Sequence, residues 1–250
     1  EEDFARQLDA LVESHDVVPL DQLFDTAEIS SRPRAAITFD DAYKGALTTG
    51  VDELVKRGMP ATIFVAPALL GCTTWWDKLA EPKSGVVPSE VRLRALDMLG
   101  GRSDAILGWA SSKSAGLQSE STLPRIGSES ELIGAASKPG ITLGSHSWSH
   151  PNLSSLSPIE LETELARPLQ WLGARHVTAL PWLSYPYGLF DSTVERAAKK
   201  AGYRGAFRTD GGWIPRSLSS PSFAIPRLSI PSGLSIDGFR LRLAGIGAGR

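Results

Sequence analysis

From Ala35 onward, compact apolar runs alternate with helical stretches, and this alternation limits the fold more than any other feature of the sequence. The runs are Ala35–Phe39, Ala61–Val65, Ile141–Gly144, Leu180–Tyr185, Arg204–Arg208 and Phe223–Ile230. Their length and flanking turn residues mark them as strands, the first two of them buried. Between them, residues 44–57 place Leu47, Val51, Leu54 and Val55 on one helical side and stop at Gly58. Ser157-Pro158-Ile159-Glu160 has the form of a capping box with proline at the first helical position, opening a helix to about Leu172. Asp191 caps a further helix that ends at Gly202, and residues 3–14 form an amphipathic helix on Phe4, Leu8, Leu11 and Val12. Strand, helix, strand in this order gives parallel βαβ units, with six or seven strands in all. Functional residues in such sheets collect at the carboxyl ends of the strands.

The 250 residues fit one α/β domain spanning 1–250, with an irregular insertion at about 71–140 on the strand-end face. Trp75-Trp76-Asp77 opens that insertion, helical stretches follow near 89–99 and 103–110, and Ser, Gly and Lys dominate from 111 to 140. Trp75 and Trp76 either present an aromatic platform to a sugar or pack the insertion. A formal net charge of −2 gives no reason to expect nucleic acid or an anionic membrane as a partner. The single cysteine, Cys72, rules out an internal disulfide framework. No apolar run approaches the ~18 residues of a membrane span, and no signal peptide is visible. The chain opens on Glu1 rather than Met, as a processed or trimmed N-terminus would. Compartment stays open between bacterial cytoplasm and cell envelope or secretion, and so does oligomeric state.

Two strand ends carry the chemistry. Asp40-Asp41 follows the first run directly, although adjacent carboxylates beside a buried strand repel each other and resist desolvation. They are either a solvated loop with a helix cap or a general base beside a metal ligand, and both can serve one site only where the strand breaks into a loop. His146 and His150 follow Gly144, and their spacing fits two imidazoles on one face of a helical turn. With Asp41 they make a three-ligand set of the kind a catalytic zinc takes. Two histidines and a carboxylate also form the facial triad of non-haem iron enzymes, but those sit on β folds without this strand–helix alternation. A hydrolytic metal would polarise a carbonyl and acidify its bound water, and Asp40 would take the proton. His176 is read as a loop histidine outside this set.

These motifs resemble those of the polysaccharide deacetylase family of carbohydrate esterases. Thr38-Phe39-Asp40-Asp41 is similar to its T-F-D-D-G motif, with Ala42 in place of glycine. His146-Ser147-Trp148-Ser149-His150 is similar to its H-[ST]-x-x-H element, and Tyr185-Pro186-Tyr187-Gly188 to its Y-P-Y-G form. The resemblance implies a distorted (β/α)7 barrel and a divalent metal, most often Zn2+, with Co2+, Mn2+ or Ni2+ as alternatives. It implies removal of N-acetyl, less often O-acetyl, groups from a polysaccharide or oligosaccharide. Carried over by motif, Asp40 is the base, Asp41, His146 and His150 hold the metal, and the Tyr187 N–H helps form an oxyanion hole. Tyr185, Trp75, Trp76, Trp148 and Trp213 are the candidate contacts to an N-acetylated glycan.

Three departures from the family pattern matter. Ser184 stands near the place of an arginine that orients the base, and Arg227, at another strand end, is expected to pair with Asp40 instead. The late L-x-H motif that supplies a general acid is replaced by Leu228-Ser229-Ile230. The acid is therefore expected upstream of Glu1, or the activity is degenerate; His15 is a weak stand-in. Ala42 is harmless at ordinary φ and a strain at positive φ. A catalytically weak glycan-binding protein and a hydrolase of a non-sugar amide are the competing readings.

Overall fold

The computed structural model describes residues 2–25, 32–113, 118, 123–175, 177–215 and 218–246. His176 and parts of the 111–140 stretch lie outside the described residues. In chain order the elements are α1 (Glu2–Ser14), β1 (Asp16–Val17), β2 (Arg34–Ala35), β3 (Ile37–Phe39), α2 (Val51–Lys56), β4 (Ala61–Val65), α3 (Trp75–Leu79), α4 (Ser89–Leu93) and α5 (Ser103–Ser112). They continue with α6 (Glu129–Ala136), β5 (Ile141–Ser145), α7 (Pro158–Gly173), β6 (Ala179–Ser184), α8 (Ser192–Ala201), β7 (Gly205–Gly211), β8 (Ile225–Arg227) and α9 (Ile236–Leu243). β3 to β8 form one six-stranded parallel sheet in sequence order, and β1 pairs with β2 in a separate two-stranded sheet.

The local causes are those expected of such a chain. β4 is buried at all five positions, which explains its unbroken apolar run. Its one polar side chain, Thr62, meets Thr142 of β5 at 2.8 Å, so neither hydroxyl is left unpaired. The helix expected at 44–57 is a π-turn over Ala46–Gly50 leading into α2, with Leu47, Val51 and Leu54 buried. The capping box of Ser157 and Glu160 starts α7 with Pro158 at its first position, and Asp191 accepts the N–H groups of Thr193 and Val194 at the start of α8. Val12 is exposed, so the apolar face of α1 is narrower than its pattern suggested; Leu8, Ala10 and Leu11 carry the burial. No described helix is long and apolar enough to cross a membrane.

The sheet curls but does not close: no backbone ladder links its edge strands, β3 and β8. Side chains bridge that seam instead, as described below. The insertion wraps over the strand ends, with Trp75, Ala95, Leu96 and Ile106 as its own apolar cluster, against which Tyr187 packs. Gly101 fixes its seat. A Cβ there would lie 2.7 Å from the Asn152 nitrogen and 2.8 Å from Tyr187 Cε2, and its φ of +68° is left-handed. At the far end of α1, His15 is buried and stacks on Trp213 with centroids 5.3 Å apart. Its Nδ1 lies 2.8 Å from Ser14 Oγ, while its Nε2 is buried and has no partner among the described residues.

Two outcomes follow from this packing. Gly144 of β5 faces Phe64, whose Cε1 would lie 2.6 Å from an added Cβ. Gly144→Ala is therefore expected to cost about 1–3 kcal/mol by overpacking, read from denaturant midpoints. Burial, aided by Arg32, holds the His15 pKa below its ordinary value. The unfolded chain then binds the proton more readily, so stability is lost as pH falls below about 6.5. His15→Phe should flatten the dependence of Tm on pH between roughly 5 and 6.5; an unchanged slope would show that another group sets it.

Candidate metal centre

Four of the strand-end segments converge on one centre. Phe39 ends β3, and the backbone turns left-handed at once, with φ of 67° at Asp41 and 58° at Ala42. That break lets adjacent carboxylates serve one site. Ala42 is fully buried in this strained conformation, which costs an alanine about 1–2 kcal/mol. After β5, residues 146–150 do not form the expected helical turn. They are a loop with left-handed Ser147 (φ 62°) and His150 (φ 61°), closed by the His150 N–H donating to Ser147 Oγ at 3.0 Å. After β6, Tyr187 is also left-handed, at φ 59°. β8 contributes Arg227.

Asp41, His146 and His150 each aim one ligand atom at a common point. The two Nε2 atoms are 3.1 Å apart, and Asp41 Oδ1 lies 3.6 Å from that of His146 and 3.4 Å from that of His150. Tetrahedral ligands at ~2.0–2.1 Å from an ion stand about 3.3 Å from one another, so the set fits a zinc-sized ion. Asp41 Oδ1 is buried without a hydrogen-bond partner among the described residues. Burial, with the nearby Asp40 and Asp77, pushes its carboxyl up to about 6. Burial above all holds His150 well below its ordinary value, which keeps its ring neutral with a lone pair to give. His146 Nδ1 lies 2.7 Å from the Ser184 carbonyl, which as an acceptor places the proton on Nδ1 and frees Nε2. A buried, unpartnered carboxylate oxygen facing two imidazole nitrogens makes a group that could hold a cation.

Asp40 has a different environment. Arg227 grips it in a fork, Nη1 to Oδ1 at 2.8 Å and Nη2 to Oδ2 at 2.6 Å, and Ser184 Oγ donates to Oδ2 at 3.2 Å. Burial would raise its pKa, but the charge of Arg227 and these hydrogen bonds outweigh it and hold the carboxyl well below the usual range. Arg227 also donates to the Arg208 carbonyl, to Thr38 Oγ1 and to Ser184 Oγ.

The aromatic candidates separate. Trp76 forms a wall: its ring lies 4.8 Å from that of His150, and its Nε1 donates to Tyr43 Oη, which in turn donates to Asp77. Tyr187 packs edge-on against His150 at 4.5 Å. Trp148, between the two ligands, is partly exposed with Arg167 stacked 3.7 Å over its ring. Trp75 is wholly buried and donates to Tyr187 Oη, and wholly buried Tyr185 donates to the Phe223 carbonyl while stacking on Phe190. Neither presents a face to a ligand, which corrects both assignments: their rings are core. Trp213 stacks on His15, and no ring contact joins it to the centre. Sequence reasoning missed Tyr43, Asp77 and Glu164. Only Tyr43 had a signal, its place two residues past the paired carboxylates.

This is an α/β fold of the (β/α)-barrel kind with an Asp-His-His group at its strand ends. The polysaccharide deacetylase family model matches residues 109–206, which include both histidines but not Asp40 and Asp41. The Bacillus subtilis protein named "Putative polysaccharide deacetylase YxkH" is 27% identical over 100 residues, 40% of this chain and 35% of that one, so the match spans about a third of that relative. The fold is similar to Streptococcus pyogenes deacetylase PplD (TM-score 0.64, 16% identity, 96% of this chain and 85% of that chain). It is equally similar to IcaB from Ammonifex degensii (TM-score 0.64, 16% identity, 98% and 87%). The chain thus resembles polysaccharide deacetylases in sequence over part of its length and in fold over nearly all of it.

The donor set makes a binding prediction. Zn2+ added to chelator-treated protein is expected to raise Tm, by about 2.7 kcal/mol of stability at a hundredfold excess over Kd. Asp41→Asn should abolish the shift, and without metal it should be no less stable than the parent. A variant that still responds to Zn2+ would remove Asp41 from the ligand set.

Proposed function

We propose that this chain is a metal-dependent hydrolase that removes acetyl groups, chiefly N-acetyl, from a polysaccharide or oligosaccharide. The observation that carries the reading is the pair of adjacent carboxylates in different settings, Asp41 Oδ1 3.6 and 3.4 Å from the Nε2 atoms of His146 and His150, and Asp40 held in the fork of Arg227. The acetate bound in the PplD structure named above supports the choice of acyl group.

Asp41, His146 and His150 would hold a divalent cation, which when bound supplies Lewis-acid polarisation of the acyl carbonyl and acidifies water. Asp40 takes the proton of the attacking water. Its Oδ1 accepts one hydrogen bond, from Arg227, whereas Oδ2 accepts two, so Oδ1 offers the freer acceptor position. Arg227 orients that carboxylate and keeps it charged. The Tyr187 N–H sits on a left-handed turn beside His150 and would donate to the developing oxyanion. Trp76, whose Nε1 already donates to Tyr43, and the partly exposed Trp148 would bound the sugar.

One observation favours a second reading, a glycan-binding protein of weak activity. The leaving amine needs a proton, and among the described residues no third histidine stands at the centre; His15 is buried against Trp213. Acetate release from N-acetylglucosamine oligomers by Zn2+-loaded protein separates the two. Turnover is expected, and Asp40→Asn should lower kcat by about 10²–10⁴ with Zn2+ affinity kept. Tight oligomer binding with no acetate release, also when a native N-terminal extension is supplied, would establish the binding protein instead.

A further inference from the structure

α7 carries a carboxylate that the reaction does not use. Glu164 Oε2 accepts the N–H groups of Trp148 and Ser149 at 2.9 and 2.8 Å, and Oε1 accepts the Ser149 hydroxyl at 2.6 Å. Trp148 and Ser149 are two of the three residues between His146 and His150. We propose that Glu164 is a positioning residue that sets the spacing of the two imidazoles, and through it the affinity of the centre for a divalent cation. The proposal rests on the reading of this centre as a metal site.

The loop needs an external hold. It has no helical ladder, and two of its five residues, Ser147 and His150, are left-handed without being glycine. Such conformations persist only where the surroundings over-determine them. Inside the loop only the bond from the His150 N–H to Ser147 Oγ is available for that. Glu164 adds three bonds to one charged group, and bonds to an ionised acceptor are the strong kind. Both of its oxygens are committed to the loop, so it acts on the ligands' geometry and is not itself a ligand.

The platform behind Glu164 is rigid. α7 runs for 16 residues from a complete capping box, and Leu161 and Leu165, on either side of Glu164, are buried. Tyr203 Oη lies 2.7 Å from Ser145 Oγ, at the end of β5, and 2.9 Å from the Leu165 carbonyl, so the strand that delivers His146 is tied to the same helical turn. Arg167, one turn beyond Glu164 minus a residue, stacks on the Trp148 ring. The helix therefore grips the loop by backbone, hydroxyl and ring together.

The test measures Zn2+ affinity by chelator competition and the visible absorption of Co2+-loaded protein, neither of which needs turnover. Glu164→Ala strands three donors and is expected to raise the Zn2+ Kd about 10–100-fold, with an altered Co2+ spectrum. Glu164→Gln keeps the shape but loses the charge, and should raise Kd roughly fivefold. Ser157→Ala removes the N-cap of the same helix without touching the loop; it should lower Tm and leave Kd unchanged. Folded Glu164→Ala with the parent's Kd and spectrum would overturn the proposal. So would a loss of affinity in Ser157→Ala equal to that in Glu164→Gln, since helix stability alone would then explain it. If Glu164→Ala does not fold, Glu164→Gln decides: a Kd equal to the parent's overturns the proposal. A parent protein that takes up no Zn2+ would overturn the metal reading itself, an outcome separate from these.

Discussion

One guanidinium holds the open barrel together. Arg227 sits at the end of β8 and reaches the Arg208 carbonyl on β7, Thr38 and Asp40 at the end of β3, and Ser184 at the end of β6. Four of the six strands of the sheet thus meet on one planar group, across the seam that no backbone ladder closes. A lysine, with a single compact charge, has no fork to match the carboxylate and no donors at the required angles. The same contact decides the chemistry of Asp40, so the fold and the base share one interaction. A base held this firmly is always ionised and only weakly basic, which suits it to a proton made acidic by other means.

The neighbouring carboxylate shows the opposite environment. Asp40 and Asp41 are joined by one peptide bond, yet one carboxyl is driven down and the other is pushed up to about 6. Pairs of titratable groups driven apart by their surroundings mark assigned roles. Ser184 links the two halves of the centre, its carbonyl fixing the His146 tautomer and its hydroxyl bonding to Asp40. The insertion belongs to this centre as much as the strands do. Trp76 walls His150, and the Gly101 carbonyl, 3.2 Å from Tyr187 Oη, accepts its hydroxyl.

What the sequence disclosed and what it hid divide along physical lines. Strand ends were legible because apolar runs stop sharply at polar residues, and this located Asp40, Asp41, His146 and His150 together. The capping box at Ser157 was legible because its chemistry lies within four residues. The loop at 146–150 was misread because a four-residue spacing suits a helical turn equally well, and no residue type there announces a left-handed backbone. Trp75 and Tyr185 were misread because an aromatic side chain serves core and ligand alike, and only burial separates them. Glu164 was hidden for a different reason: its partners are mostly backbone N–H groups, which every residue possesses.

Among the described residues, the five left-handed ones that are not glycine, namely Asp41, Ala42, Ser147, His150 and Tyr187, all fall in the three loops of the centre. Aspartate and histidine tolerate this conformation better than most residue types, so the two ligands among them carry it at moderate cost. Ala42 and Tyr187 do not have that tolerance. The centre is therefore the part of the molecule whose local geometry is opposed by its own residues and imposed by its neighbours. When those neighbours loosen, under heat or denaturant, these loops have the most to gain by relaxing. Loss of the centre's geometry should then precede loss of the sheet, and a folded but incompetent protein would be the first product of mild damage.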